Sequence, residues 1–169
     1  MRRDEADPGK HLIYSLKRDN REDVVEFLAR ELSGSIVQNI DISRRDMYLI
    51  TNVPRRSSSI LKFGFDHTEE LAKRISCELG IEYKGLLVSK SKRAQKETSG
   101  IERLTNVNFD YKRGLDINLK GRVALIIDDL VTTGASMSAA AMLIRGLGVN
   151  ECIAVSIAVA NNEDYILKS

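Results

Sequence analysis

Two adjacent carboxylates, Asp128 and Asp129, follow five apolar residues at 123–127 and precede a small, hydroxylated segment at 132–136. A continuous apolar run that ends in turn residues is typical of a strand buried on both faces. The segment after the acids leads into a helix-like stretch, and the N–H groups at a helix start can bind a phosphate. Because carboxylates repel phosphate, the combination indicates a ligand that carries hydroxyls beside its phosphate, as ribose 5-phosphate does. A plain strand-to-helix turn with Ser136 as its N-cap is the alternative.

This order of residues resembles the ribose-phosphate-binding motif of the type I phosphoribosyltransferases. The resemblance implies that Asp128 and Asp129 are the catalytic acids, which contact the ribose 2- and 3-hydroxyls of phosphoribosyl pyrophosphate (PRPP). It also implies that the loop after them binds the 5-phosphate of PRPP. The residues carried over for the 5-phosphate are Thr132, Thr133, Gly134, Ala135 and Ser136.

A second candidate loop, at 53–67, contains Arg55 and Arg56. Arginine suits phosphate binding because its planar donors match phosphate oxygens in pairs. Type I phosphoribosyltransferases use the corresponding loop for the pyrophosphate of PRPP, so the resemblance implies this role for both arginines. A solvated basic loop is the alternative.

A third loop, at 90–107, is polar, charged and aperiodic. Long loops without secondary structure are uncommon in compact domains and often act as lids. In the family that the sequence resembles, a flexible loop at this place closes over PRPP and excludes water. The residues assigned to this flexible loop are Lys90, Lys92, Arg93 and Gln95. A disordered surface loop is the alternative.

The segments around these loops narrow the resemblance to ComF-type, competence-associated phosphoribosyltransferases. Residues 53–56 and 63–72 are similar to the Pro…Arg-Gly-Phe-Asn-Gln…Leu-Ala stretch of that group, and residues 92–107 to its basic-Gln…Arg-Leu-x-Asn segment. The sequence departs from the group in having no cysteine-rich zinc module; its two cysteines lack the paired spacing of metal sites.

The ComF-type Arg-Gly-Phe-Asn-Gln stretch reads Phe63-Gly64-Phe65-Asp66-His67 in this chain. The arginine is therefore lost, which weakens the transfer of a phosphate-binding role to position 63. His67 is interpreted as an exposed surface residue, because no metal-ligating partners lie at suitable spacing from it.

Five segments have the apolar patterns of strands, at 46–52, 85–89, 108–111, 123–128 and 152–160. Three have helical patterns, at 21–32, 68–79 and 137–147, with Gly34 and Gly80 placed at the C-termini of the first two. Strands separated by helices favour right-handed crossovers and a mainly parallel sheet, in which ligands gather at the carboxyl ends of the strands. The predicted fold is α/β, with a mainly parallel central sheet flanked by helices as in type I phosphoribosyltransferases, and a small N-terminal hood.

The 169 residues are predicted to form one domain, with a hood or helical segment at about 1–45 and the core sheet and helices at about 46–160. Composition is that of a soluble globular protein, with 43% hydrophobic and 30% charged residues. No stretch approaches the roughly 18 apolar residues of a membrane span, so a cytoplasmic protein without a membrane partner is expected.

The resemblance implies a phosphoribosyltransferase of nucleotide metabolism, which transfers phosphoribose from PRPP to a nitrogen acceptor and releases pyrophosphate. Mg²⁺ is the expected cofactor, bound with PRPP and without a direct ligand from the chain. Thr132 stands where purine-salvage members place an aspartate, which argues against a 6-oxopurine acceptor.

A non-catalytic PRPP-binding regulator and a competence or DNA-uptake adaptor stay open as alternatives. The small molecule PRPP is the expected partner, and a homodimer is open. The net charge of +2 disfavours a nucleic-acid partner without excluding one.

Overall fold

The apolar run at 123–127 forms the buried middle strand of a three-stranded parallel sheet. We describe this sheet from a computed structural model, which describes Leu16 and residues 21–90, 109–115 and 118–159. The sheet order is β1-β4-β5, and Leu125 of the middle strand is paired with Ile50 on one side and Ile153 on the other. The strands of the described chain are β1 (Tyr48–Asn52), β2 (Leu87–Ser89), β3 (Phe109–Tyr111), β4 (Val123–Val131) and β5 (Glu151–Val159).

Helices cover both faces of this sheet. The α-helices of the described chain are α1 (Glu22–Asn39), α2 (Ser57–Phe63), α3 (His67–Leu79) and α4 (Ala135–Gly146), and a 3₁₀ helix spans Ile42–Met47. Alternate residues of β4 face opposite sides, so Leu125 and Ile127 pack with α1 and α3. Ala124 and Ile126 pack with α4, β2 and β3 on the other side. The predicted α/β fold is therefore confirmed.

The strand predicted at 85–89 is shorter, at Leu87–Ser89, and lies outside the central sheet. Residues 82–84 run along β1, where the backbone N–H of Ile50 donates to Glu82 O (2.8 Å) and that of Lys84 donates to Ile50 O (2.9 Å). The chain then leaves the sheet, and β2 pairs antiparallel with β3 in a separate two-stranded ribbon. The central sheet is parallel, while this ribbon is an antiparallel addition to it.

Two local predictions about helices are wrong. Gly34 does not end α1, which continues to Asn39, because burial of Ile36 two residues later offsets the cost of about 1 kcal/mol for a helical glycine. The loop at 53–67 contains α2, a short helix without buried residues and therefore without an apolar period. Gly80 does end α3, with a left-handed φ of 63°.

The predicted division into a hood at 1–45 and a core at 46–160 stays a prediction, since most of residues 1–20 lie outside the described chain. Within the described ranges, Leu16 and the apolar face of α1 share one core cluster with α3 and the sheet. No helix in those ranges has the length and apolar character needed to cross a bilayer.

Candidate functional site

The two acids lie near the end of β4, which continues past the predicted boundary of 128 to Val131. Asp128 is 9% exposed and Asp129 is 7% exposed, so both carboxylates are largely shielded from water. The backbone N–H of Asp129 donates to Oδ1 of Asp128 (2.9 Å). β1 ends beside them, because the N–H of Val53 donates to the carbonyl oxygen of Ile127 (2.9 Å).

A cleft of about 360 Å³ opens where β1 and β4 end. Its walls bring together both acids, both arginines and one residue of the predicted phosphate loop. The lining residues are Val53, Pro54, Arg55, Arg56, Ser59, His67, Thr68, Ser89, Phe109, Asp128, Asp129, Leu130 and Ser136. Residues from two predicted loops, about 75 positions apart in the chain, thus share one space as the parallel-sheet interpretation requires.

The rest of the predicted phosphate loop surrounds a smaller recess of about 50 Å³. This recess shares Asp128, Leu130 and Ser136 with the larger cleft. Its wall includes the other four predicted phosphate-binding residues, Thr132, Thr133, Gly134 and Ala135. The loop and the acids are therefore neighbours in space as well as in sequence.

The start of α4 departs from an ordinary capped helix. Gly134 is the N-cap, in a left-handed conformation with φ of 73°, and it has no side chain to cap the helix. The backbone N–H of Ala135 donates to the hydroxyl oxygen of Thr133 at 3.4 Å. Ser136 lies inside the first turn, so the alternative that makes Ser136 the N-cap is wrong. The remaining N–H groups of a first turn without an N-cap side chain can donate to an external acceptor such as water or an anion.

The arginine loop is tied to α3 through Asp66. One carboxylate oxygen of Asp66 caps the helix, accepting hydrogen bonds from the N–H groups of Thr68 (3.0 Å) and Glu69 (3.2 Å). The other accepts the backbone N–H of Arg55 (2.8 Å). The Arg55 guanidinium carbon lies 4.8 Å from the ring centroid of Phe63. The backbone and the side chain of Arg55 are therefore both held.

His67 corrects the sequence interpretation. It is buried, with 2% exposure, and its Nε2 lies 2.6 Å from Oδ2 of Asp129. The expectation of an exposed surface residue is wrong, because the first turn of α3 faces the end of β4. No local pattern reveals a pair separated by 62 positions. Only the topology could have indicated this contact. The helix that follows β1 begins at the C-terminal edge of the parallel sheet, where both acids lie.

A partly buried phenol that the sequence did not indicate lies beside the end of β1. Tyr83 donates its hydroxyl to Oδ1 of Asn52 (2.8 Å), and Thr68 donates its hydroxyl to the carbonyl oxygen of Val53 (2.9 Å). Burial, followed by the nearby negative charges of α3 and its cap, raises the pKa of Tyr83. The phenol therefore stays protonated and remains a donor to Asn52.

The flexible-loop assignment is only partly within the described chain. Lys90 follows β2 directly and is partly exposed. Lys92, Arg93 and Gln95 lie outside the described residues, so their role stays a prediction. The described residues contain no group of three or more His, Cys, Asp or Glu side chains arranged to hold a metal ion.

Comparison with known families identifies this arrangement. Residues 60–169 match the family model described as the phosphoribosyl transferase domain. The chain belongs to the phosphoribosyltransferase family. Its fold is shared by a hypoxanthine-guanine phosphoribosyltransferase (hpt-2) from Bacillus anthracis, with a TM-score of 0.53 and 10% identity. The alignment covers 88% of this chain and 76% of that one.

Two similar proteins support the narrower, ComF-type assignment. Competence protein ComFC of Streptococcus pneumoniae is 28% identical over 127 residues, which cover 75% of this chain and 54% of that protein. DNA utilization protein YhgH of Escherichia coli is 26% identical over 146 residues, covering 83% of this chain and 63% of that protein. The chain thus spans less than two thirds of the length of these relatives. The predicted membership of the ComF-type group is confirmed.

Proposed function

We propose that this chain binds Mg-PRPP in the 360 Å³ cleft and transfers its phosphoribosyl group to a nitrogen acceptor, releasing pyrophosphate. The observation that carries the proposal is the convergence of opposite charges on one cleft. Asp128 and Asp129 form one part of its wall, Arg55 and Arg56 another, and Ser136 leads to the phosphate recess. A molecule with hydroxyls between two phosphate-bearing ends matches that order of groups.

The acids would bind the sugar. Ionised carboxylates are acceptors only, so Asp128 and Asp129 suit the donor hydroxyls of ribose. As the bond from C1 to the pyrophosphate oxygen breaks, positive charge develops on the ring, as in other glycosyl transfers. Two negative charges fixed beside the ring stabilise that transition state without rearranging during the reaction.

The phosphates would bind at the two sides of the sugar. The 5-phosphate would accept hydrogen bonds from the N–H groups of residues 132–136, at the start of α4. The bond electrons leave with the pyrophosphate, whose growing charge Arg55 and Arg56 would stabilise. The acceptor nitrogen forms the new bond to C1 on the opposite face. Positioning and charge stabilisation supply most of the catalysis in this proposal.

The donor set of the cleft suits Mg²⁺ carried by the substrate. Mg²⁺ prefers oxygen ligands and commonly binds through substrate phosphates, and the carboxylates of Asp128 and Asp129 are oxygen donors that the cleft would offer it. When bound, the ion would neutralise part of the charge on the pyrophosphate. We propose that the chain recognises the Mg-PRPP complex rather than holding the ion by itself.

Calorimetric titration with Mg-PRPP and with ribose 5-phosphate tests the binding step. Wild type should bind both ligands, and Asp128→Asn/Asp129→Asn should lose them, because the ribose hydroxyls then lose both charged acceptors. Glu31→Gln, which removes an exposed carboxylate of α1, is the control and should bind like wild type. A double variant that retains wild-type affinity would show that the acids do not hold the sugar.

Catalysis needs its own test, because a PRPP-binding regulator would pass the binding experiment. Pyrophosphate release from Mg-PRPP is measured while nucleobases and amines are screened as acceptors. Acceptor-dependent release that disappears in the double variant supports the enzyme. Tight binding without release for any acceptor favours the regulator.

The names of the relatives favour one second candidate, an adaptor in DNA uptake or use. ComFC is called a competence protein and YhgH a DNA utilization protein. Such an adaptor would bind DNA through basic residues, and its affinity would fall steeply with salt. Salt-sensitive DNA binding by a chain that shows no affinity for Mg-PRPP would favour this candidate over the transferase.

A further inference from the structure

We propose that His67 is a positioning residue for Asp129, which it holds in the orientation that meets the ribose hydroxyls. The inference rests on the proposed function, since it concerns how one of the two sugar-binding acids is oriented. It adds His67, which lines the same cleft, to the residues that would act on the sugar. It also gives the segment at 53–67 a second role besides the proposed pyrophosphate binding.

The contact between the two side chains is short and shielded. Nε2 of His67 lies 2.6 Å from Oδ2 of Asp129, and the side chains are 3% and 10% exposed. An ionised carboxylate can only accept, so Nε2 must carry the proton and donate it. Hydrogen bonds to a charged acceptor are shorter and stronger than neutral ones, and burial strengthens them further.

The two acids are oriented by different means. Oδ1 of Asp128 accepts the neighbouring backbone N–H of Asp129, which is a local contact within β4. Asp129 is contacted by an imidazole that is 62 positions away in the chain. A rigid support is needed for a carboxylate that must meet one hydroxyl in one geometry, and α3 supplies it.

The helix that carries His67 is itself fixed to the cleft. Asp66 caps the helix and also binds the backbone N–H of Arg55. Thr68 donates its hydroxyl to the carbonyl oxygen of Val53. His67 lies between these two anchors, so the pyrophosphate loop and the orientation of Asp129 are parts of one connected structure.

The second ring nitrogen argues against a purely structural histidine. Nδ1 of His67 is buried and has no hydrogen-bond partner among the described residues. Buried polar atoms are nearly always paired, and leaving one unpaired is unfavourable. A core position with no functional demand is better filled by an apolar side chain, whereas a donor to Asp129 requires a residue such as histidine here.

Two substitutions separate the donor from the bulk of the side chain. His67→Leu removes the donor, while His67→Gln keeps an N–H group of similar reach and restores the residue found in the ComF-type pattern. Titrations use Mg-PRPP, which carries the ribose, and Mg-pyrophosphate, which does not. His67→Leu should weaken Mg-PRPP binding about ten-fold and leave Mg-pyrophosphate within about two-fold of wild type. His67→Gln should restore most of the loss.

The ligand pair distinguishes positioning from general damage. Equal weakening of both ligands by His67→Leu, or wild-type affinity for Mg-PRPP in that variant, overturns the role of His67. A double-mutant cycle adds a second criterion: His67→Leu should have little effect once Asp129→Ala has removed its target, and additive losses would contradict the proposal. Wild type that does not bind Mg-PRPP contradicts the proposed function itself, and this role for His67 with it.

A spectroscopic test examines the contact without any ligand. The chain has two histidines, so the signals of His67 in ¹⁵N-histidine-labelled protein are identified by their absence in His67→Gln. Nε2 should carry a proton that is protected from exchange with water, and Asp129→Ala should abolish that protection. An unprotected Nε2 proton in wild type overturns the inference whatever the binding data show.

Discussion

Phe63 occupies the position at which ComF-type sequences carry arginine, and its ring lies against two cations. The guanidinium carbon of Arg55 is 4.8 Å from the ring centroid, and Nζ of Lys62 is 5.0 Å from it. Cation–π contacts of this kind contribute about 0.5–1 kcal/mol at exposed sites. Position 63 therefore holds a ring that contacts a neighbouring arginine of the same loop, and we expect this ring to act as a platform that orients Arg55.

Phe63→Ala tests this platform. Without the ring, Arg55 samples more conformations and meets an anion less often, so the affinity for Mg-pyrophosphate should fall about two- to five-fold. Isothermal titration measures the effect. Leu61→Ala is the matched control, because Leu61 is on the same short helix and 87% exposed. Equal affinities of the two variants would show that Arg55 does not depend on Phe63.

At the scale of elements, Asp66 joins the arginine loop to α3. It caps α3 through one oxygen and accepts the Arg55 N–H through the other, and the same loop carries Phe63. The cap fixes where α3 begins and hence where His67 lies. Geometry at the site thus depends on a residue that contacts no proposed substrate group.

Asp66→Ala should lower the free energy of unfolding by about 1–2 kcal/mol, because an N-cap is lost. Asp66→Asn should keep most of that stability, since its side-chain oxygen still caps the helix, while losing the tie to Arg55. Urea denaturation measures both variants. Asp41 caps the exposed 3₁₀ helix, so Asp41→Ala is the control and should cost less. If Asp41→Ala and Asp66→Ala lowered the free energy of unfolding equally, Asp66 would stabilise the fold no more than an exposed cap does.

Two glycines offer the same substitution with opposite expected signs. Gly134 has φ of 73° at the start of α4, so Gly134→Ala should lower the free energy of unfolding by about 1–2 kcal/mol through backbone strain. Steric overlap is not the reason, because no atom lies within 4 Å of the added Cβ. Gly34 lies inside α1 with open space around it, so Gly34→Ala should raise the free energy of unfolding by about 0.5–1 kcal/mol. Thermal unfolding measures the stability of both variants relative to wild type. Stabilisation by Gly134→Ala would show that the loop does not need its left-handed residue.

Some of these elements could be predicted from the sequence alone, and others could not. β4, α3 and the loop after the acids were predictable, because long apolar periods, capping residues and clustered polar types are local signals. α2 was missed, since no residue of that helix is buried and no period marks it. The residues predicted for the phosphate loop and both arginines lie around one cleft and its adjoining recess, because parallel strands end at one edge; their binding roles stay predictions. The His67–Asp129 pair was missed, because tertiary packing alone brings its members together.

At the scale of the whole molecule, the sheet is anchored at the end opposite to the cleft. Arg122, just before β4, donates hydrogen bonds to the carbonyl oxygen of Tyr48 and to the carboxylate of Glu82. These contacts tie the starts of β1 and β4 to the segment after α3. The strand ends that carry the acids thus belong to a sheet whose polar contacts at the opposite end lie away from the cleft.

The anchor predicts a pH dependence of stability that is separate from the chemistry. The hydrogen bond from Arg122, with further help from Lys84, holds the pKa of Glu82 below its ordinary value of 4.5. The folded state therefore favours the ionised carboxylate, which contributes stability above about pH 4.5 and loses it as the pH falls through the lowered pKa. Glu82 is 48% exposed at its side chain, so screening keeps the contribution small, at about 0.5 kcal/mol.

Glu82→Gln isolates this charge, because glutamine still accepts a hydrogen bond from Arg122 but cannot ionise. Urea denaturation at about pH 7 should show the variant less stable than wild type by about 0.5 kcal/mol. The difference should shrink as the pH falls below 4.5 and vanish once the pH is below the lowered pKa of Glu82, where the wild-type carboxyl is protonated and resembles the amide. Glu78→Gln, at an exposed carboxylate of α3 without an ion pair in the described chain, should show no such pH-dependent difference. If the difference in free energy of unfolding between Glu82→Gln and wild type stayed constant over this pH range, the charge of Glu82 would not contribute to stability. The contact with Arg122 would then act only through packing and uncharged hydrogen bonding.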